Sequence, residues 1–218
     1  MFPTLLVILT FSVLYWFPIR RWMGRWGAHS CDLARVMAGD LVIANPTHSA
    51  THAVTVEALP EDIWPWLVQM GSDRGGLYSY DWLDRLFGIL DRPSATRIIP
   101  EFQHLSVGDK IHLGPREELT VITSDTGRAL VLSYNAHGFE WVWQFGLYPL
   151  DGNRTRLVTR GTERFRSTVT SWLFMRVMEP AAFIMTRRML LGVKQRAEAL
   201  KAARFRDGFR TWFVNTST

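Results

Sequence analysis

One amphipathic stripe near the end of the chain, between Glu179 and Arg204, most constrains what this sequence can fold into. Ala182, Met185, Met189, Val193, Ala197 and Leu200 recur at spacings of three and four residues, which sets them on one face of a long helix. Such a stripe must be covered. What precedes it is a succession of short alternating strand patterns, so the simplest cover is a curved antiparallel sheet wrapped around the helix, an α+β architecture. A sheet that grips a single helix leaves room for a cavity between the two.

The strand patterns are brief and closely linked. His48 to Leu59 alternates, with His52, Val54, Val56 and Ala58 on one face and Thr51, Ala53, Thr55 and Glu57 on the other. Leu119–Ser124, Ala129–Asn135, Phe139–Leu150 and Thr155–Phe165 are joined through Asp125-Thr126-Gly127, Ala136-His137-Gly138 and Asp151-Gly152-Asn153. These are hairpin turns, and connections so short force antiparallel neighbours. Two helices are expected after the first strand, Pro60–Gly71 capped by Asp62 and Ser79–Phe87 capped by Ser79. Between these and the later strands lie two strand-like pieces, Thr96–Ile99 and Lys110–Leu113. Thr168–Met178 reads as helical, with a kink or break expected at Pro180.

The strand from Phe139 carries Phe139, Trp141, Trp143, Phe145 and Leu147 on one face, a large aromatic payload to seat against one helix, which points to an open pocket. In the next strand Arg156, Val158, Arg160, Thr162 and Arg164 share one face and Leu157, Thr159, Gly161 and Glu163 the other, and the pattern alone does not say which faces inward. Pointing inward, Arg160 is the natural anchor for an acidic or carbonyl group. His48 and His52 share a face, but without a third ligand at a recognisable spacing they do not make a metal site. Ser72-Asp73-Arg74-Gly75-Gly76 lacks the Lys-Ser/Thr of a phosphate loop, and no cofactor fingerprint or nucleophile triad is present.

The two ends of the chain differ from its body. Met1 to Ile19 contains no charged side chain and as a helix would reach roughly 28 Å, close to the thickness of a hydrocarbon core. Tyr15, Trp16, Trp22 and Trp26 supply interfacial aromatics and Arg20, Arg21 and Arg25 follow, so residues 1–23 read as an N-terminal hydrophobic helix anchoring a cytoplasmic domain. A helix docked on protein is the alternative, leaving the protein cytoplasmic. Residues 24–47 form a connector with a short helix at Asp32–Met37. From Arg187 onward basic residues outnumber Glu198 and Asp207 eight to two, while the middle of the chain is mildly acidic. This distribution argues against a nucleic-acid groove across the core and favours a membrane surface near the termini, including the basic aromatic tail from Phe205. The single Cys31 excludes an internal disulfide.

Certain segments are more specific. Ile63-Trp64-Pro65-Trp66-Leu67-Val68-Gln69-Met70-Gly71, Arg74-Gly75-Gly76 with Tyr78-Ser79-Tyr80-Asp81, Arg97-Ile98-Ile99-Pro100-Glu101, Gly108-Asp109 and the stretch from Met185 to Glu198 resemble the START-like (SRPBCC) superfamily, within it the polyketide cyclase/dehydrase-like proteins. The resemblance covers about residues 24–203 and implies a helix-grip fold over residues 48–204. It further implies a cavity for a hydrophobic small molecule or lipid, with Trp66, Met70, Tyr78, Trp82, Trp141, Trp143, Met185 and Met189 as walls and Arg160 or Tyr80 as polar contacts. The alternative reading is a cyclase- or dehydratase-like enzyme in which Arg or Tyr polarises a carbonyl and Glu101 or Asp84 moves a proton. No cofactor is implied.

Overall fold

The structure, a computed structural model, describes residues 18–114, 117–166 and 168–215, with residues 169 and 206–215 followed as backbone only. The three hairpin turns set its architecture. Gly127, Gly138 and Gly152 each take a positive φ, the conformation a tight reversal needs and a side chain resists. They join β3 (Glu118–Asp125), β4 (Ala129–Ala136), β5 (Phe139–Leu150) and β6 (Arg154–Phe165) into an antiparallel meander. β2 (Lys110–His112) extends one edge, and β1 (His48–Val56) pairs with β6 at the other, giving the order β1-β6-β5-β4-β3-β2.

Five helices are described: α1 (Arg20–Met23), α2 (Ser30–Ala34), α3 (Pro60–Val68), α4 (Asp81–Leu86) and α5 (Val169–Asn215). The sheet closes around α5, so the chain has the helix-grip fold, with helices, sheet and element order as the stripe predicts. α5 runs unbroken through Pro180, where a kink or break is expected from sequence. One backbone donor is lost there, but the adjoining turns are held by side chains: Arg20 from outside the helix and Arg176 within it both bind the Glu179 carboxylate, and Phe183 is buried against Trp22 and His52.

Four local expectations change. α3 begins at Pro60 rather than at an Asp62 cap, because proline fits the first helical position where its missing N–H has no partner to lose. Asp62 instead lies buried and pairs with Arg204 at 2.6 Å. α2 starts at Ser30 because His29 and Asp32 form a reciprocal capping box. α4 starts at Asp81, since Ser79 spends its hydroxyl on the Asp84 carboxylate. Thr96–Ile99 is not a strand, for the Gln69 side chain accepts the Ile99 N–H at 3.0 Å and donates to the Arg97 carbonyl at 3.2 Å. These groups thereby need no sheet partner.

The connector is a second layer rather than a linker. It hydrogen-bonds the free edge of β1, with Thr51 N–H donating to the Gly24 carbonyl at 2.9 Å and Ala53 N–H to that of Trp26 at 3.3 Å, so the edge is not left as a template for another chain. Crossing to the convex face, it buries Met37 on Ala53 and Val158, and Ile43 on Val131 and Val142. The outward arginines of β6 hold it down: Arg156 on Asp32 at 2.7 Å, Arg160 on Asp40 at 2.6 Å and Arg164 on the Ala44 carbonyl at 3.0 Å. Burial alone would raise the Asp32 carboxyl, but its bonds to Arg156 and the His29 N–H outweigh that and leave it lowered.

Residues 1–17 of the expected anchor helix lie outside the described residues, as do the side chains of the basic tail beyond Phe205. Among the described residues no helix is long and apolar enough to cross a membrane.

Candidate functional site

The concave face of the sheet is built in rows, and the rows decide where it is solid and where it is hollow. Strand pairing sets Tyr134, Trp141, Glu163 and His48 side by side across β4, β5, β6 and β1. One row along stand Leu132, Trp143, Gly161 and Ala50, and one further Leu130, Phe145, Thr159 and His52. The middle row therefore ends in glycine and alanine, and the gap they leave beneath α5 becomes a cavity of about 480 Å³.

Its aromatic wall is Phe139, Tyr134, Trp141 and Trp143, the two indoles stacked with ring centroids 5.5 Å apart. The roof comes from α5, with Phe174, Met175, Met178, Ala182 and Phe183, and α1 closes one side with Arg20 and Met23. Further along, α5 meets solid protein. There Trp66 and Met70 of the α3 segment, Tyr78 and Met189 are buried in the close-packed core, and Gly192 lies so near the Tyr78 carbonyl that an added Cβ would stand 2.3 Å from its oxygen. The helix thus grips over its second half and spans open space over its first.

This geometry sorts the candidates from sequence. Trp141 and Trp143 line the cavity. Trp66, Met70, Tyr78 and Met189 do not, being packed among other core side chains. Met185 is half-buried and off the cavity wall, Tyr80 is half-buried under Arg188, and Trp82 is 67% exposed on α4. Arg160 points to the opposite, convex face, because its register on β6 is one residue out of phase with the inward set; there it binds Asp40, Thr51 and carbonyls of the connector. The proposed proton-moving carboxylates are also elsewhere. Glu101 is exposed on a short 3₁₀ turn (Pro100–Phe102), and Asp84 is buried in α4 against Ser79.

The polar end of the cavity holds Glu163 and Glu179, which the sequence alone did not single out, together with His48 and His52, which it weighed only as a metal pair. Glu179 lies there with both carboxylate oxygens bound by Arg20, at 2.8 and 3.1 Å, and by Arg176. His48 Nδ1 stands 3.9 Å from the same carboxylate, and His52 Nε2 meets the Met23 carbonyl at 2.8 Å. Burial lowers both imidazoles, only partly opposed by Glu179 at His48 and by the carbonyl at His52, which keeps them neutral at pH 7. Glu163 is different. Its Oε2 is shielded from solvent and has no hydrogen-bond partner among the described residues, and burial, reinforced by the charge of Glu179, pushes its carboxyl up to about 7. Among the described residues no cluster of side chains is arranged to hold a metal.

No protein-family model and no curated protein matches the sequence. Solved structures with a similar chain trace include a Zhui aromatase/cyclase from Streptomyces sp. R1128, 16% identical over 69% of this chain and 93% of that one with a TM-score of 0.40. Norcoclaurine synthase from Thalictrum flavum is 15% identical over 68% and 91%, with a TM-score of 0.41. A Mesorhizobium loti protein is 16% identical over 70% and 98%, with a TM-score of 0.42.

Proposed function

We propose that this protein binds a hydrophobic small molecule or lipid in the space between its sheet and α5. The observation that carries this is the hollow itself: about 480 Å³ bounded by stacked indoles, phenyl rings and methionines, within the roughly 300–1,000 Å³ of ligand pockets. Had the middle row of the sheet ended in large residues, the same fold would be a solid core. Nile red titrated into the purified protein should bind with quenching of Trp141 and Trp143 emission, and native mass spectrometry should detect a co-purifying apolar compound. Gly161→Leu, which puts a side chain into the hollow, should abolish both. Undiminished Nile red binding in that variant would show that the dye sits elsewhere and would sink the assignment.

The ligand reaches the cavity, in this proposal, from an apolar phase. Phe174 and Met178 line the hollow and are also exposed, and Trp172, Leu173 and Val177 beside them on α5, like Trp22 on α1, present apolar surface to solvent. Deleting residues 1–19 should shift the protein from the membrane to the soluble fraction, and unchanged fractionation counts against this part.

A further inference from the structure

The walls of the cavity are apolar, but its charges are unbalanced in one direction. Among the described residues Glu117, Glu163 and Glu179 line it, with Arg20 as the one lining guanidinium. Arg176 adds a second guanidinium, yet it reaches Glu179, and so does Arg20. Both cations at this end are therefore engaged by one carboxylate. Glu163 Oε2 takes no donor among the described residues: His48, its cross-strand neighbour on β1, stands near Arg20 and Glu179, and Trp141, its neighbour on β5, presents an aromatic ring. An unpaired, shielded carboxylate oxygen carries a standing free-energy cost. Its retention beside an indole is physically sensible where a cation completes the site, because the ring's negative face and the carboxylate attract the same partner.

We infer that the ligand is an amphiphilic amine, whose protonated nitrogen is taken by Glu163 beside Trp141 while its apolar body fills the space under α5. The inference rests on the small-molecule reading above and narrows it. A dehydrated metal ion does not suit the same place, since apolar side chains make up most of the surroundings and no cluster of ligating side chains is present among the described residues. A fatty acid does not suit it either, because its carboxylate would face two glutamates with the available guanidiniums already committed.

The test uses three probes with one apolar body: octylamine, octanol and octanoate, each competing with Nile red at pH 8, where Glu163 is ionised and the amine protonated. Octylamine should bind at least about tenfold more tightly than octanol, the scale of one charge-assisted contact, with octanoate weakest. In Glu163→Gln the preference of amine over alcohol should vanish while octanol binding is kept. Equal affinity for amine and alcohol in the unaltered protein, or tightest binding of octanoate, overturns the amine assignment and leaves the cavity reading intact. Failure of all three to displace bound Nile red overturns both.

Discussion

Gly161 on β6 stands directly opposite Trp143 on β5, and the hollow beneath α5 follows from that pairing. Its φ is not in the left-handed region, so the backbone does not require glycine there. A Cβ at Gly161 would meet nothing closer than the Trp141 Nε1 at 3.5 Å, an ordinary contact. Absence of a side chain at this position therefore serves space alone. Gly161→Ala should fold normally and gain about 0.4–1 kcal/mol from a less flexible unfolded chain, as read by urea denaturation. Gly161→Leu should keep the fold by circular dichroism while excluding apolar probes. A large loss of stability in the alanine variant would contradict the spatial role.

Glu163 makes stability depend on pH in an unusual direction for a carboxyl. Its folded value, about 7, lies above the ordinary 4.5, so the native state holds the proton more tightly than the unfolded chain. Its contribution is complete below about pH 4.5 and is lost as pH rises through 7. The charged and titratable groups around it are Glu179 and Arg176 on α5, Arg20 on α1, His48 and His52 on β1 and Tyr134 on β4. The two histidines titrate in the opposite sense but are common to both proteins in a comparison with Glu163→Gln. Between pH 5 and pH 8 the unaltered protein should lose about 2–3 kcal/mol relative to that variant, measured by denaturant unfolding. Parallel curves would remove Glu163 from the buried titratable set.

How much of this site the sequence makes legible depends on which physical signal each residue sends. Alternation and turn chemistry give the meander, because hydrophobic period and hairpin residues are local. The inward face of β6 was within reach too: Asp151-Gly152-Asn153 sets Leu150 opposite Arg154, and counting outward puts Glu163 opposite Trp141, hence on the aromatic face. Read for composition instead, β6 offers its arginines, and Arg160 attracts the anchor role although it clasps the connector. The roof of the cavity is harder. Pro180 divides α5 in the sequence, and only tertiary contacts to Arg20 and Phe183 show that Phe174 and Met178 belong to the same rod as Met189. Trp66, Met70 and Tyr78 send the signal of any buried apolar residue, which does not distinguish a wall from a filled core.

On the convex face, burial separates two ion pairs of similar length. Asp32 and Arg156 have side chains only 2% and 9% exposed, whereas Glu140 and Arg164 are 27% and 44% exposed. Asp32→Ala leaves a guanidinium stranded between sheet and connector and should cost about 3–5 kcal/mol. Glu140→Ala removes a solvated partner and should cost less than about 1 kcal/mol. Chemical denaturation of the two variants checks the contrast, and equal losses would mean that the connector is not held through Asp32.

At the solid end of the grip, Gly192 allows α5 to touch the backbone of Tyr78. An alanine there would bring its methyl 2.3 Å from the Tyr78 carbonyl oxygen and 3.0 Å from the Tyr78 Cβ. The obstacle is main chain rather than a movable side chain, and Tyr78 itself is held at a positive φ of 57° with its ring buried edge-on against Trp66. Neither side can yield without moving the helix off the core. Gly192→Ala, normally favourable in a helix interior, should therefore lower stability by about 1–3 kcal/mol. Because the contact lies beyond the roof residues, Nile red affinity should change far less than stability does. A neutral or stabilising alanine at this position would mean that helix and loop are less closely seated than the Tyr78 contact requires.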